Sequence, residues 1–157
     1  AMIKGVCVGG GLEVAGLCDI RICGESSRFG APISKLGLVM GYHELGALRD
    51  LVGAQAAYEI LLEGRILDAA EALGKGIVSR VVADDAVETE ALATARRVAD
   101  GAPLVHRWHR KFLDRLADPT PLSEDEIKEA YACYDTEDFK TGYTAFLEKK
   151  KPDFRGR

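Results

Sequence analysis

The sequence predicts an α/β fold, and three observations carry that prediction. An apolar run at residues 2–8 enters three consecutive glycines, Gly9, Gly10 and Gly11, and a helix with Glu13 in its first turn opens directly after them. Short apolar or β-rich runs recur at 19–23, 28–30 and 77–82, separated by stretches with helical spacing. From residue 85 onward every periodic stretch reads as helix.

The composition sets the class of protein. A length of 157 residues fits one domain. Hydrophobic residues at 47% supply a core and charged residues at 29% supply a surface. A net charge of −4 gives no general reason to expect nucleic acid as a partner. No apolar run is long enough to span a bilayer and no basic-plus-apolar leader is present, so a soluble, cytoplasmic protein is expected. The four cysteines, Cys7, Cys18, Cys23 and Cys133, show no C-x-x-C spacing. Cys18 and Cys23 fall in strand or helix contexts, so buried thiols are expected and no metal site.

In chain order, residues 2–8 read as one buried strand, apolar apart from Lys4 and Gly5. The glycines that follow let the backbone reach positive φ and let a ligand touch the main chain. The first N–H groups of a helix have no partners within it, and the helix dipole places partial positive charge there. Such a bend can hold an anionic oxygen, with the Glu13 carboxylate beside it to move a proton. A dinucleotide-binding turn is excluded, because the sixth position counted from Gly9 is Val14 and not glycine; a P-loop is excluded because no Gly-Lys-Ser/Thr follows. The plainer alternative is a tight strand-to-helix connection with no ligand.

Residues 19–23 form a short strand, 24–27 turn the chain, and 28–30 begin another strand that ends at Pro32. Leu45, Leu48, Leu51 and Val52 fall at helical spacing up to a break at Gly53. A second helix over 54–62 turns Ala57, Ile60 and Leu61 inward and ends at Gly64. Asp68 caps a short helix over 69–73 that Gly74 stops, and 77–82 is the last strand. Beyond it, Asp85 and Glu88 suggest a capping pair before a helix whose inner face is Val87, Ala91, Ala95 and Val98.

Pro103 suits the first turn of the next helix, with Leu104, Trp108, Phe112 and Leu116 as its apolar stripe. Its other face, with His106, Arg107, His109, Arg110, Lys111 and Arg115, admits three readings: a metal site at His106 and His109, a surface for phosphates, or a solvated face, which is preferred. Ser123 and Glu126 make an S-x-x-E helix start, with Ile127, Ala130, Tyr131 and Tyr134 expected inward. The last helix covers about 136–149 with Phe139, Tyr143, Phe146 and Leu147 on one side, as core or subunit interface.

Several ordered segments carry a family resemblance. Ile3-Lys4-Gly5, Val8-Gly9-Gly10-Gly11-Leu12-Glu13 and Cys18-Asp19-Ile20-Arg21-Ile22 resemble the central signature of the crotonase (enoyl-CoA hydratase/isomerase) superfamily. The likeness continues through Arg28-Phe29-Gly30-Ala31-Pro32, Leu36-Gly37-Leu38, Leu61-Leu62-Glu63-Gly64-Arg65, Ala69-Ala70-Glu71-Ala72, Gly76-Ile77-Val78 and Val81-Val82 to Ala145-Phe146-Leu147-Glu148-Lys149. It implies a crotonase-like ββα spiral over 1–83, with the N-terminal part of the fold missing, and a helical trimerisation region over 84–157. The chain is thus expected to be a fragment, or one part of a split protein, that lacks a second oxyanion N–H and several CoA contacts.

The resemblance also implies a ligand and a chemistry. The ligand is an acyl-CoA thioester, which brings coenzyme A as part of the substrate, and no metal or other cofactor is implied. Gly10 supplies one oxyanion N–H and Glu13 acts as acid or base. Phe146 and Lys149 contribute to the adenine end of CoA, in a homotrimer or dimer of trimers. The hydratases of the family place a second glutamate directly after the proline, where this chain has Ile33. Glu44 and His43, in an unusual 40–46 loop, are candidates for a replacement acid or base. For both residues the plainer reading, with no catalytic role, is preferred: Glu44 near the start of the next helix only complements its dipole. Four functions stay open: a hydratase-like lyase, favoured; a double-bond isomerase working with one carboxylate; a non-catalytic acyl-CoA-binding protein; and an inactive fragment.

Overall fold

A computed structural model describes all 157 residues as two compact units, Ala1–Ala93 and Thr94–Arg157. The first holds two small parallel sheets. One pairs β1 (Met2–Ile3), β3 (Ile22–Gly24) and β5 (Arg80–Val82) in the order β1-β3-β5, and the other pairs β2 (Val6–Val8) with β4 (Arg28–Gly30). In register, Ile3 faces Cys23, which faces Val81; Cys7 faces Phe29.

The single strand expected over 2–8 is therefore two. Gly5 takes φ 76°, a conformation that breaks a ladder, and the chain passes from one sheet to the other at that point. Met2 and Val6 are exposed, so the run is buried on alternate positions only. The strand expected over 19–23 starts later, at Ile22, and Arg21 instead spends its side chain bonding the Ile77 carbonyl at 2.6 Å and the Cys18 carbonyl. The strand expected over 77–82 is confined to β5; Ile77 and Val78 are buried ahead of it without joining the ladder.

Helices fill the connections. α1 (Gly10–Gly16) follows β2, and a 3-10 turn over Pro32–Leu36 follows β4. α2 (Tyr42–Tyr58) is broken at Gly53, as the sequence predicts, and ends in a π turn over Glu59–Glu63 before Gly64. α3 (Ala69–Gly74) opens on a capping box: Asp68 accepts from the Glu71 N–H at 2.8 Å and Glu71 accepts from the Asp68 N–H at 3.1 Å. Its stop is Gly76, at φ 76°, and not Gly74, which is still helical.

The core of this unit surrounds Phe29, Ile60 and Leu67, all 0% exposed. Phe29 and Leu67 exchange both backbone hydrogen bonds, at 2.9 and 2.7 Å, which ties β4 to the segment before α3. Cys7 and Cys23 are buried here, and burial pushes both thiols up, so they are structural; Cys18 is only half-buried, contrary to expectation. The Asp85 cap does not form: a 3-10 turn over Asp84–Ala86 leads into α4 (Val87–Ala99), and Asp84 accepts from the Ser26 N–H at 3.1 Å instead. Thr94 takes the buried place on α4 that Ala95 was expected to hold.

In the second unit, α5 (Pro103–Leu116), α6 (Glu124–Glu129) and α7 (Glu137–Leu147) follow. The Ser123–Glu126 capping box forms as predicted. The face expected inward after it does not bury: α6 stops at Glu129, and Ile127, Tyr131 and Tyr134 are exposed. The basic face of α5 is partly committed, since Lys111 pairs with Glu129 and Arg115 with Glu126. Arg115 also donates to the Asp118, Thr120 and Pro121 carbonyls, so one guanidinium holds the α5–α6 connection.

Two outcomes test this packing. Phe29→Ala should destabilise the protein by about 3–5 kcal/mol in urea titration, since a fully buried ring leaves a cavity. The Arg115 guanidinium and the Ser123 cap hold the Glu126 carboxyl well below the usual carboxylate range, at about 2. A lowered folded-state pKa stabilises above the unfolded value and is lost as pH falls through the folded one. The melting-temperature gap between wild type and Glu126→Gln should therefore close between about pH 5 and pH 2; a gap independent of pH would contradict the charge pairing.

Candidate functional site

The site begins where β2 ends. Gly9 has φ 52° and ψ −125°, a conformation essentially closed to residues with a Cβ. Its N–H donates to the Gly30 carbonyl at 2.9 Å, and its carbonyl accepts from the Glu13 N–H at 3.1 Å. One glycine thus closes the β2–β4 ladder and opens α1. Gly10 and Gly11 are already helical, so the bend is Gly9 alone rather than all three glycines. As first-turn residues, both carry N–H groups that no helical carbonyl can reach. Gly10 is exposed.

On α1, Leu12 and Ala15 are buried in the core and Glu13 is half-buried between them. Gly16 lets α1 approach α2 closely: a Cβ there would sit 3.3 Å from Leu51 Cδ2. Between these helices lies an open cleft of about 210 Å³. Its walls include Leu12, Met40, Leu48 and Leu51, and its titratable groups are Glu13, His43 and Glu44. The structure therefore brings Glu13 together with both residues singled out in the 40–46 loop. His43 and Glu44 stand in the first turn of α2, at N2 and N3, with Gly41 as N-cap.

Ile33 is elsewhere. It lies on the 3-10 turn, half-buried, and packs against the hydrophobic core. Met40 belongs to the 40–46 loop that the resemblance places near the acyl group; Leu51 was not marked as a cleft wall, and its only signal was apolarity, which core and cleft share.

Phe146 and Lys149 lie at the end of α7, in the second unit. Phe146 is 80% exposed. Lys149 alone among non-glycine residues has a positive φ, 55°. It occupies the C′ place of a Schellman end, with the Lys149 N–H on the Phe146 carbonyl at 3.2 Å and the Lys150 N–H on the Ala145 carbonyl at 2.9 Å. Lys150 pairs with Glu148 and Lys151 with Asp100, both at 2.8 Å.

The structure thus joins a glycine-gated strand–helix junction, a carboxylate one turn into the helix and an apolar cleft beside it. A family model described as enoyl-CoA hydratase/isomerase matches residues 1–157, and the chain belongs to that family. Its fold matches a crystal structure of an enoyl-CoA hydratase/carnithine racemase from Magnetospirillum magneticum, with TM-score 0.96 and 54% identity over 98% of this chain and 57% of that one. A probable mitochondrial enoyl-CoA hydratase 2 of Arabidopsis thaliana is 36% identical over 99% of this chain and 52% of its own length. An (E)-benzylidenesuccinyl-CoA hydratase of Thauera aromatica is 37% identical, over 99% and 62%. The chain spans between half and two thirds of the relatives it matches. No helix is long and apolar enough to cross a membrane.

The left-handed backbone at Lys149 has a measurable consequence. Lys149→Gly should raise stability by about 1 kcal/mol in urea titration, because glycine adopts that conformation without a Cβ clash. A loss of stability would show that the lysine side chain itself holds the α7 end.

Proposed function

We propose that the protein carrying this chain is an enoyl-CoA hydratase-like lyase acting on a 2-enoyl-CoA thioester. The observation that supports this reading best is the cleft that both Glu13 and Glu44 line, while the position after Pro32 is given over to core packing by Ile33.

Hydration needs two proton movements. As water attacks the β-carbon, a carboxylate takes its proton, and the C=C electron pair moves through the α-carbon to the thioester oxygen. The Gly10 N–H, aligned with the start of α1, is suited to bear that enolate charge; a second donor would come from outside this chain. Collapse of the enolate draws a proton onto the α-carbon from the second, protonated carboxyl. Glu13 and Glu44 divide these two transfers between them, and His43 is the other titratable group within the cleft. The chemistry requires neither metal nor redox cofactor. The apolar walls suit an acyl chain.

Phe146 and Lys149 are assigned to the adenine end of CoA. Of the three lysines at the α7 end, Lys150 and Lys151 are paired with acids, which leaves Lys149 for an anionic phosphate. A homotrimer or dimer of trimers would cover the exposed Tyr143 and Phe146 of α7. The second reading, a double-bond isomerase, is favoured by the absence of a carboxylate at position 33: one base can remove a proton at C2 of a 3-enoyl thioester and return it at C4.

Parallel assays with 2-enoyl-CoA and 3-enoyl-CoA separate these readings: water uptake supports the lyase, and bond migration without it supports the isomerase. In either, Glu13→Gln should lower kcat by about 10²–10⁴-fold while CoA-thioester binding survives. Full activity in Glu13→Gln would remove Glu13 from the mechanism.

A further inference from the structure

Three glutamates in this chain stand at the N3 position of a helix, and two of them are committed. Glu71 accepts from the Asp68 N–H, and Glu126 from the Ser123 N–H at 2.7 Å, each as half of a capping box whose other half is the side chain of the N-cap residue. A committed carboxylate is a poor proton donor or acceptor near neutrality: Arg115 first and then the Ser123 box hold Glu126 at about 2, and the Asp68 N–H followed by Arg65 holds Glu71 below the usual range. The third is Glu44. Its N-cap is Gly41, which brings no side-chain oxygen and forms no cap hydrogen bond.

Gly41 is not needed for its backbone. Its φ of −68° and ψ of 168° are extended values that any residue adopts. A Cβ at residue 41 would sit 2.6 Å from Oε2 of Glu44 and 3.6 Å from its Cδ, so the exposed end of the Glu44 side chain would have to shift to make room for it. The Glu44 carboxylate therefore occupies the volume that a side chain at 41 would fill, on a turn that lines the same cleft as Glu13.

We infer that Gly41 is a positioning residue, whose missing side chain keeps Glu44 out of a capping box and leaves its carboxylate available to the cleft. The inference rests on the reading of Glu44 as the second proton-transfer group. Helix stability and site chemistry make opposite demands at this residue. Serine, threonine, asparagine or aspartate at 41 would cap α2 better and, with Glu44 three residues on, would complete the box seen at α3 and α6. The remaining titratable groups of the cleft are Glu13 on α1 and His43 on α2.

The test uses steady-state kinetics of the protein on enoyl-CoA, with Gly41→Ser, Gly41→Ala, Glu44→Gln and the double variant Gly41→Ser/Glu44→Gln. Gly41→Ser should melt no lower than wild type, yet lose about 10–100-fold in kcat with KM little changed. It should also shift toward acid the limb of the pH–rate profile that Glu44→Gln abolishes. Gly41→Ala, which displaces the carboxylate without offering a cap, should lose kcat similarly with that limb in place. In the Glu44→Gln background, Gly41→Ser should cost nothing more in kcat. A merely structural glycine predicts the reverse, unchanged or improved activity in the better-capped serine variant. If Glu44→Gln is impaired while Gly41→Ser keeps wild-type kcat and pH profile, the positioning role is overturned and Glu44 stands. If Glu44→Gln is fully active, the reading of Glu44 fails, and the role of Gly41 falls with it. A further loss of kcat when Gly41→Ser is added to Glu44→Gln also overturns the inference, because the effect would not run through Glu44.

Discussion

The unit that holds the cleft depends on one backbone junction. At Gly9 the β2–β4 ladder ends with an N–H on the Gly30 carbonyl, and the next peptide starts a helix. The turn has no spare residue. It is possible because one glycine takes a conformation that a Cβ would forbid. Its consequence is geometric precision for Glu13: buried Leu12 and Ala15 on either side fix the roll of α1, so the carboxylate is aimed by the core rather than by a loop. Gly16 then sets how near α2 can come, and so how wide the cleft is.

The cleft gathers its polar groups on two elements with different kinds of support. Glu13 sits on a helix clamped between sheet and core. Glu44 and His43 sit at the exposed start of α2, after a loop in which Leu38 and Val39 are exposed and Met40 alone is buried. Apolar walls favour apolar groups over water and strengthen whatever charge the cleft holds.

Two local conformational costs in this chain fall at candidate functional residues, and α5 also starts without a side-chain cap, at Ala102. α2 starts without a side-chain cap at Gly41, and Lys149 holds a left-handed conformation where glycine is the usual choice. By contrast, the helix starts at Asp68 and Ser123, which no candidate residue occupies, are fully capped. Departures of this kind are where function competes with stability.

The sequence by itself determined the class of fold, the glycine-to-helix turn, the breaks at Gly53 and Gly64, and the capping boxes at Asp68 and Ser123, because each rests on the chemistry of residues within a few positions of one another. It also singled out Glu13, His43 and Glu44 as candidates, Glu13 within the glycine-to-helix turn and the other two at unusual places in a recognisable order. What only tertiary structure decided was contact. The division of residues 2–8 between two sheets follows from which strands pair on either side of Gly5, and pairing is a long-range choice. Whether Ile127, Tyr131 and Tyr134 face a core or water depends on what packs over them, which periodicity does not encode. That Glu13 and Glu44, thirty-one positions apart, line one cleft follows from α1 lying against α2 at Gly16 and Leu51, and no local pattern carries that information.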